Sequence, residues 1–203
     1  MLLIINNYVT NADLGLREMQ ALGETCRELA GIEYKVLHFS ELGGDVTAAL
    51  PSLQAVISGG YRDSYESFDL DIFGSEFELT CALRVPFLGI CGGHQHLALA
   101  YGGSVRRCYY GNEEKGFTSV GVIKQSRLTD GLPEEFPVFQ YHNCEIAELP
   151  PGFEVLMQSQ KCRIQAVKLK GKEVYGVQFH PERFDAEHSA GRTILANFFR
   201  LLT

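Results

Sequence analysis

Short, almost wholly apolar segments recur through the first half of the chain, and they constrain the fold more than any other feature. A run of this length without alternating polar residues is typical of a strand that is covered on both faces. When helices join such strands, the strands form a parallel sheet, and active sites lie at the carboxyl ends of its strands. The predicted strands are "LLIINN" (2–7), "YKVLHF" (34–39), "AVIS" (55–58) and "PFLGI" (86–90).

Segments with the periodicity of a helix lie between some of these strands. From Asp13, a predicted N-cap, apolar residues return with the spacing of one helix face. Further helices are predicted from 73 to 83 and from about 186 to 202. The predicted apolar face of the first helix consists of Leu16, Met19, Leu22, Cys26 and Leu29.

After Gly103 the pattern changes to strand-like runs that are separated by Gly, Pro and charged turns. No internal repeat and no low-complexity linker marks a boundary, so we expect residues 1–203 to form a single domain. The runs are "TSVGVIK" (118–124), "FPVFQYH" (136–142), "FEVLMQ" (153–158), "RIQAVKLK" (163–170) and "EVYGVQFH" (173–180).

Composition excludes several classes of function. The 203 residues include 18 Lys and Arg against 25 Asp and Glu, a net charge of -7, and no basic run interleaved with aromatics occurs. We therefore expect no nucleic-acid partner. The start "MLLIINNYV" lacks the basic region of a signal peptide, and no apolar run approaches the roughly 20 residues that cross a bilayer. A soluble cytoplasmic protein without membrane contact is expected.

The cysteines carry little sign of metal or redox chemistry. They are scattered without close pairs, so neither a zinc knuckle nor a C-x-x-C motif is present, and we expect no metal and no cofactor. In such a chain most cysteines are buried thiols that behave as small hydrophobes. The six are Cys26, Cys81, Cys91, Cys108, Cys144 and Cys162.

One of these cysteines lies in an unusual setting. The residues "GICGG" (89–93) have the G-x-nucleophile-x-G form of a nucleophile elbow, with Cys91 at the reactive position. The N–H groups at the start of the following helix would stabilise a thiolate and an oxyanion. Taken alone, this pattern leaves open whether Cys91 is a nucleophile or a buried thiol beside a glycine-rich turn.

A second segment, "YGVQFHPE" (175–182), supplies the partners that a nucleophile needs. A strand carries His180 to its end, Pro181 ends the ladder, and Glu182 lies two residues beyond the histidine. A cysteine nucleophile needs a base, and that base needs an orienting carboxylate. Cys91, His180 and Glu182 therefore form a complete candidate triad.

These two segments together resemble the class I glutamine amidotransferases, triad-type domains that release ammonia from glutamine for a synthase. The resemblance rests on "GICGGHQ" and "GVQFHPE", and it extends to "LLIINNY", "ISGG", "HQHLALAYGG" and "FQYHN". It implies a three-layer α/β sandwich, flavodoxin-like, with a mostly parallel central sheet and additional antiparallel strands in the C-terminal half. "GNEEKGF" and "ELPPGFEVL" look most like the free-standing domains of the GMP-synthase-like group.

The resemblance also implies site residues. Cys91 would be the nucleophile, His180 the base and acid, and Glu182 the residue that orients it. Gly59 or Gly60, with the N–H of Gly92, would form the oxyanion hole. Gln95 and the backbone of Tyr141, His142 and Asn143 would hold the substrate, with His142 in a supporting role. His38, His96 and His188 match no motif and are expected to be structural or surface residues.

The chain departs from the family pattern at two places. Gly92 stands where the family usually has a bulky residue, and Tyr61 stands where many members have proline. Because glycine has no Cβ, we expect the Cys91–Gly92 peptide to move easily between orientations.

Three functions remain open from the sequence. The first is a glutaminase that supplies ammonia to a separate synthase in trans. The second is a stand-alone γ-glutamyl hydrolase or peptidase. The third, a catalytically silent binding protein, is disfavoured because the candidate triad is intact.

Overall fold

The computed structural model describes residues 1–43, 46, 50, 52–63 and 67–202. The described strands are β1 (Leu2–Asn6), β2 (Tyr34–His38), β3 (Ala55–Ser58), β4 (Phe87–Ile90), β5 (Ser104–Arg107), β6 (Glu114–Val122), β7 (Glu135–His142), β8 (Cys144–Glu148), β9 (Phe153–Gln158), β10 (Ala166–Leu169) and β11 (Val174–Val177). The described α-helices are α1 (Ala12–Ala30), α2 (Gly74–Ala82), α3 (Gly92–Ala100) and α4 (Ala190–Phe199), and short 3₁₀ turns lie at Phe39–Glu41, Leu70–Phe73, Arg127–Thr129 and Arg200–Leu202.

One large sheet organises the fold. Its strand order is β2-β1-β3-β4-β11-β10-β9-β6-β7. The strands from β2 to β11 in this order pair in parallel, whereas β10, β9, β6 and β7 continue the sheet in antiparallel pairing. β5 and β8 form a separate antiparallel ribbon. The structure confirms the predicted mixed α/β fold with antiparallel strands in the C-terminal half.

The parallel part of the sheet is covered on both faces, as its continuous apolar strands predict. In β1, Leu2 and Ile4 pack into a cluster with residues of α1 and α4. Leu3 and Ile5, which point the other way, pack with residues of α2 and α3. All four side chains are fully buried. This arrangement gives three layers and directs the carboxyl ends of β3, β4 and β11 to one edge.

The first helix differs from the prediction at its start and on its buried face. Its N-cap is Asn11, which has a left-handed φ of 78° and whose side chain accepts the Leu14 N–H, whereas Asp13 lies in the first turn. Leu16, predicted to be buried, is 40% exposed. The helix contacts the core through Gly15 instead, because a Cβ there would lie 2.6 Å from Cγ of Tyr8. This close approach rotates Leu16 outward.

Other boundaries also shift. The last helix begins at Ala190 rather than near 186, since the carboxylate of Asp185 accepts the N–H groups of Glu187 and His188 and holds a turn there. β6 begins four residues before the predicted "TSVGVIK" run. The β5–β8 ribbon was not predicted, because "SVRR" and "CEIAE" are too short and polar to show a strand pattern.

Among the described residues, no helix is both long enough and apolar enough to cross a membrane. Within the same residues, no cluster of His, Cys, Asp and Glu side chains has the arrangement of a metal site.

Candidate active site

Cys91 occupies the turn between β4 and α3. Its backbone has φ 52° and ψ -102°, a conformation that residues with a side chain rarely adopt. The Cys91 N–H donates to the carbonyl of Val177 at 2.8 Å, which joins the turn to the neighbouring strand. The residue is only 6% exposed. This is the strained strand-to-helix geometry of a nucleophile elbow.

Close packing explains the glycines that flank the turn. A Cβ on Gly89 would lie 2.4 Å from the Gly93 carbonyl oxygen, and one on Gly93 would lie 2.2 Å from that of Ser58. Both contacts are with backbone atoms, so no side-chain movement could relieve them. The elbow can therefore form only with glycine at these two positions.

His180 and Glu182 lie beyond the end of the neighbouring strand β11. His180 Nδ1 is 2.7 Å from Oε1 of Glu182. The N–H of His180 donates to the carbonyl of Phe139 at 2.8 Å, which anchors its backbone. Burial opposes protonation of the imidazole, but the negative charges of Glu182 and of Cys91 outweigh it and raise the pKa of His180 to about 10. Burial likewise opposes ionisation of Glu182, yet the adjacent His180 holds the pKa of that carboxyl below its usual value.

Gly60 lies against both Cys91 and His180. A Cβ on Gly60 would be 3.1 Å from Cβ of Cys91 and 3.2 Å from Cε1 of His180. The Cys91 and His180 side chains are therefore neighbours, and the thiol contributes to the raised pKa of the imidazole. The fold thus brings together the three residues of the predicted triad, with Nδ1 of the imidazole bonded to the Glu182 carboxylate and the ring lying beside Cys91.

The predicted oxyanion glycines differ in what their N–H groups contact. The N–H of Gly59 donates to the carbonyl of Ile5 at 3.1 Å, so it is already committed. The N–H groups of Gly60 and Gly92 have no acceptor among the residues that the structure describes. Of the predicted donors, Gly60 and Gly92 are therefore available to a substrate oxygen, and Gly59 is not.

A cavity of about 300 Å³ opens in front of Cys91. The carbonyl oxygen of Tyr141 lies 3.9 Å from Sγ of Cys91. The segment that was predicted to hold the substrate therefore lies beside Cys91. The lining residues include Tyr61, Cys91, Gly92, Gln95, Glu113, Glu114, Lys115, Tyr141, His142, Asn143 and Cys144.

Gln95 is buried beside Cys91, and its amide group is fixed. Its Nε2 donates to the carbonyl of Cys144 at 3.0 Å and to Oε1 of Gln178 at 3.1 Å. Gln178 in turn directs its own Nε2 to Sγ of Cys91 at 3.7 Å. Sequence reasoning missed Gln178, although it lies inside the "GVQFHPE" motif and two residues before His180.

His142 is buried behind the substrate segment. Its Nδ1 lies 3.1 Å from the carbonyl of Cys144, and its Nε2 lies 3.3 Å from Oε2 of Glu114. The same carboxylate accepts the Nε2 of Gln165 at 2.6 Å. Glu114, which sequence reasoning did not single out, therefore ties the segment to the antiparallel half of the sheet.

Among the described cysteines, only Cys91 has a positive φ, so the others lack its strained turn. Cys108 does have an imidazole neighbour, since its Sγ lies 3.9 Å from Nδ1 of His142. Burial raises the pKa of Cys26 to about 12, and that of Cys108 to the same value. Cys81 is exposed, and burial of its sulfur again raises the pKa. Among the described residues, the thiol of Cys81 donates to the carbonyl of Ala100, and no imidazole is hydrogen-bonded to it.

Comparison with known proteins finds relatives across most of the chain, and they are glutamine-hydrolyzing subunits of GMP synthase. The subunit of this description from Pyrococcus abyssi is 42% identical over 189 residues, which cover 93% of this chain and 95% of the relative. Its counterpart from Methanocaldococcus jannaschii is 45% identical over 118 residues; that alignment covers 58% of this chain and 61% of the relative. The glutamine-hydrolyzing GMP synthase of Staphylococcus saprophyticus is 35% identical over 188 residues, and the aligned part spans 34% of its length.

A solved structure agrees. A protein from Thermoplasma acidophilum, described as a subunit of GMP synthase, superposes with a TM-score of 0.82 at 28% identity, covering 99% of this chain and 92% of that one. The family of class-I glutamine amidotransferases matches residues 13–202. The chain belongs to the class-I glutamine amidotransferase family.

Proposed function

We propose that Cys91, His180 and Glu182 hydrolyse the side-chain amide of glutamine through a γ-glutamyl thioester. The observation that carries the proposal is the imidazole of His180, which is bonded to Glu182 at 2.7 Å and lies beside Cys91 on a strained elbow. The raised pKa of His180 favours the protonated imidazole at neutral pH, and a protonated imidazole favours the thiolate form of a neighbouring cysteine.

The chemical steps follow from this arrangement. The Cys91 thiolate attacks the amide carbon, and the electron pair of the carbonyl moves to the oxygen, which accepts the N–H groups of Gly60 and Gly92. His180 gives its proton to the amide nitrogen, the C–N bond breaks, and ammonia leaves. Water then attacks the thioester and gives a proton to His180, which releases glutamate and restores the thiolate. Glu182 keeps the imidazole in the orientation that both proton transfers need.

We assign substrate recognition to residues that line the cavity in front of Cys91. Both N–H groups of the Gln95 amide are committed, so its carbonyl oxygen is the group left to accept a hydrogen bond from the α-ammonium of glutamine. The backbone of Tyr141, His142 and Asn143 would bind the remaining polar groups of the substrate. His142 supports this segment through Glu114.

The released ammonia would serve a separate synthase. The similarity to glutamine-hydrolyzing subunits of GMP synthase supports GMP synthesis as the acceptor reaction. The similarity to the longer Staphylococcus enzyme also supports it. The alignment spans 34% of that enzyme, and the rest of the enzyme lies outside the region that this chain matches. We place the activity in the cytoplasm, consistent with six cysteines that form no disulfide.

A reconstitution experiment tests this proposal. The purified chain is mixed with the synthetase component of an archaeal GMP synthase, and GMP formation is measured with glutamine or with ammonium as the nitrogen source. We expect Cys91→Ala to abolish GMP formation from glutamine and to leave formation from ammonium intact. Equal GMP formation from glutamine by Cys91→Ala and the unaltered chain would contradict the proposal.

A second cavity favours an alternative substrate. A space of about 270 Å³ is lined by His180 and Glu182, and by Tyr8, Glu18 and Arg183 among others. Because His180 protonates the leaving group, this space could take an amine larger than ammonia, as a γ-glutamyl hydrolase requires. Turnover of γ-glutamyl dipeptides that exceeds turnover of glutamine by the purified chain would favour this alternative.

A further inference from the structure

Tyr61 occupies the space in which a side chain at position 92 would lie. A Cβ built on Gly92 would lie 2.3 Å from Cε1 and 2.4 Å from Cδ1 of the Tyr61 ring. Real Cβ atoms essentially never make contacts this close. Glycine at 92 and tyrosine at 61 are therefore matched, because the ring packs directly on the Gly92 Cα.

The ring of Tyr61 is held from its other side as well. Its centroid lies 5.2 Å from that of His96 and 6.2 Å from that of Phe73, with which it stacks. His96 is itself fixed, because its Nδ1 lies 2.8 Å from Oε2 of the buried Glu76. The ring is thus packed between an aromatic wall and the first residue of α3.

This position connects the two backbone segments that carry the candidate oxyanion donors. Tyr61 directly follows Gly60, and its ring contacts Gly92. A glycine peptide without a neighbouring side chain moves easily between orientations, and an N–H donor that must meet an oxyanion loses much of its effect when it is not preorganised. The sequence alone predicts that the Cys91–Gly92 peptide moves easily between orientations. In the structure Tyr61, 31 positions away from Gly92, restricts this movement.

We propose that Tyr61 is a positioning residue whose ring fixes the Cys91–Gly92 peptide, so that the Gly92 N–H points at the oxyanion. This inference rests on the proposed function of Cys91 and extends it. The ring, not the hydroxyl, carries the role, because the contacts with Gly92 are made by Cδ1 and Cε1. Burial raises the pKa of Tyr61, which keeps the phenol neutral beside the thiol.

A double-mutant cycle tests the coupling. We measure kcat and KM for glutamine in Tyr61→Ala, Gly92→Leu and the double variant. Tyr61→Ala should lower kcat about 10-fold or more while KM changes less than about threefold, since the donor acts on the transition state. Gly92→Leu should lower kcat because its Cβ overlaps the ring. The double variant should exceed the activity expected from independent effects by about fivefold or more, since the leucine then occupies the space that the ring has left.

Two further variants separate the ring from general damage. Tyr61→Phe should recover most of the kcat that Tyr61→Ala loses. Tyr110→Ala is the matched control, because Tyr110 is fully exposed and its loss should leave kcat unchanged. If Gly92→Leu fails to fold, as thermal unfolding would show, the comparison of Tyr61→Ala with Tyr61→Phe still decides.

The outcomes that overturn the inference differ from those that overturn the proposed function. Independent effects of Tyr61→Ala and Gly92→Leu, or a loss in Tyr61→Ala that is confined to KM, would contradict the positioning role while Cys91→Ala stays inactive. Activity of Cys91→Ala equal to that of the unaltered chain would instead overturn the proposed function itself.

Discussion

Three largely buried histidine–glutamate pairs occur among the described residues, and two of them, His180–Glu182 and His96–Glu76, have almost the same geometry. His180 and Glu182 are 2.7 Å apart, and His96 and Glu76 are 2.8 Å apart. Their surroundings differ. His180 lies beside Cys91, which lines the larger of the two cavities near it, whereas His96 packs against aromatic rings.

The two pairs are also built differently. Glu182 follows His180 by two residues, so the local chain path past Pro181 forms the pair. Glu76 lies on α2 and His96 on α3, so only the packing of two helices brings them together. A histidine–glutamate bond therefore does not by itself make an acid–base catalyst. What distinguishes the proposed catalytic pair is its position beside Cys91 on the strained elbow, where a Cβ on Gly60 would contact both Cys91 and His180.

The largest difference between the pairs should appear on removal of the reacting groups. We expect Cys91→Ala and His180→Ala each to lower kcat for glutamine by about a thousandfold or more, because both are needed for the covalent route. Ammonia release measured with the purified variants checks this. His96→Asn should lose far less kcat, and a loss equal to that of His180→Ala would break the comparison.

Loss of the orienting carboxylate should have a smaller effect. Glu182→Gln leaves the base in place but less well oriented, so kcat should stay at least about tenfold above that of Cys91→Ala. The pKa of His180 should fall toward its ordinary value, which a ¹⁵N NMR titration of the imidazole can follow. An unchanged His180 titration in this variant would show that Glu182 does not supply the charge.

The structural pair should affect stability more than chemistry. Oε1 of Glu76 accepts the Ser58 hydroxyl at 2.5 Å, and Ser58 precedes the glycines of the oxyanion loop. Glu76→Gln should lower the free energy of unfolding by about 1–3 kcal/mol, since the buried groups that bond to this carboxylate would lose an acceptor. Urea unfolding measures this. If kcat instead falls as far as in Glu182→Gln while stability is unchanged, the division between the two pairs is wrong.

The pH dependence of stability should follow the sign of the His180 pKa shift. The folded-state pKa of His180, about 10, is above the ordinary value near 6.5, so its stabilising contribution is present below about pH 6.5 and is lost as the pH rises to about 10. The lowered pKa of Glu182 has the opposite sign, and its contribution is lost as the pH falls. The stability difference between the unaltered chain and His180→Gln should therefore shrink between pH 6.5 and 10. Urea unfolding at several pH values checks this, and a difference that grows over the interval would contradict the assignment.

The sequence predicted the parts of the site that are local in the chain. The elbow at Cys91 and the His180–Glu182 spacing are visible as short motifs, because each depends on residues within a few positions. Gln178 and Glu114 were missed because their roles arise from contacts with segments far away. The match between Tyr61 and Gly92 was seen only as two separate departures, since no local pattern shows that a ring fills the space above a distant glycine.

The fold, like the site, was predicted where it depends on local sequence and missed where it depends on distant contacts. Continuous apolar strands predicted the parallel part of the sheet, because burial on both faces leaves a direct mark on composition. The β5–β8 ribbon and the outward rotation of Leu16 depend on tertiary packing and left no such mark.

The most direct test of the central claim is covalent labelling with a chloroketone analogue of glutamine, followed by peptide mapping. The account predicts one adduct per chain, on Cys91, because this thiol lines the cavity, lies on the strained elbow and has His180 beside it. Cys81 is the internal control, since it is exposed but has no imidazole beside it among the described residues. Prior addition of glutamine should slow the reaction. Stoichiometric labelling of Cys81 or another cysteine, with Cys91 unmodified, would contradict the assignment of Cys91 as the nucleophile.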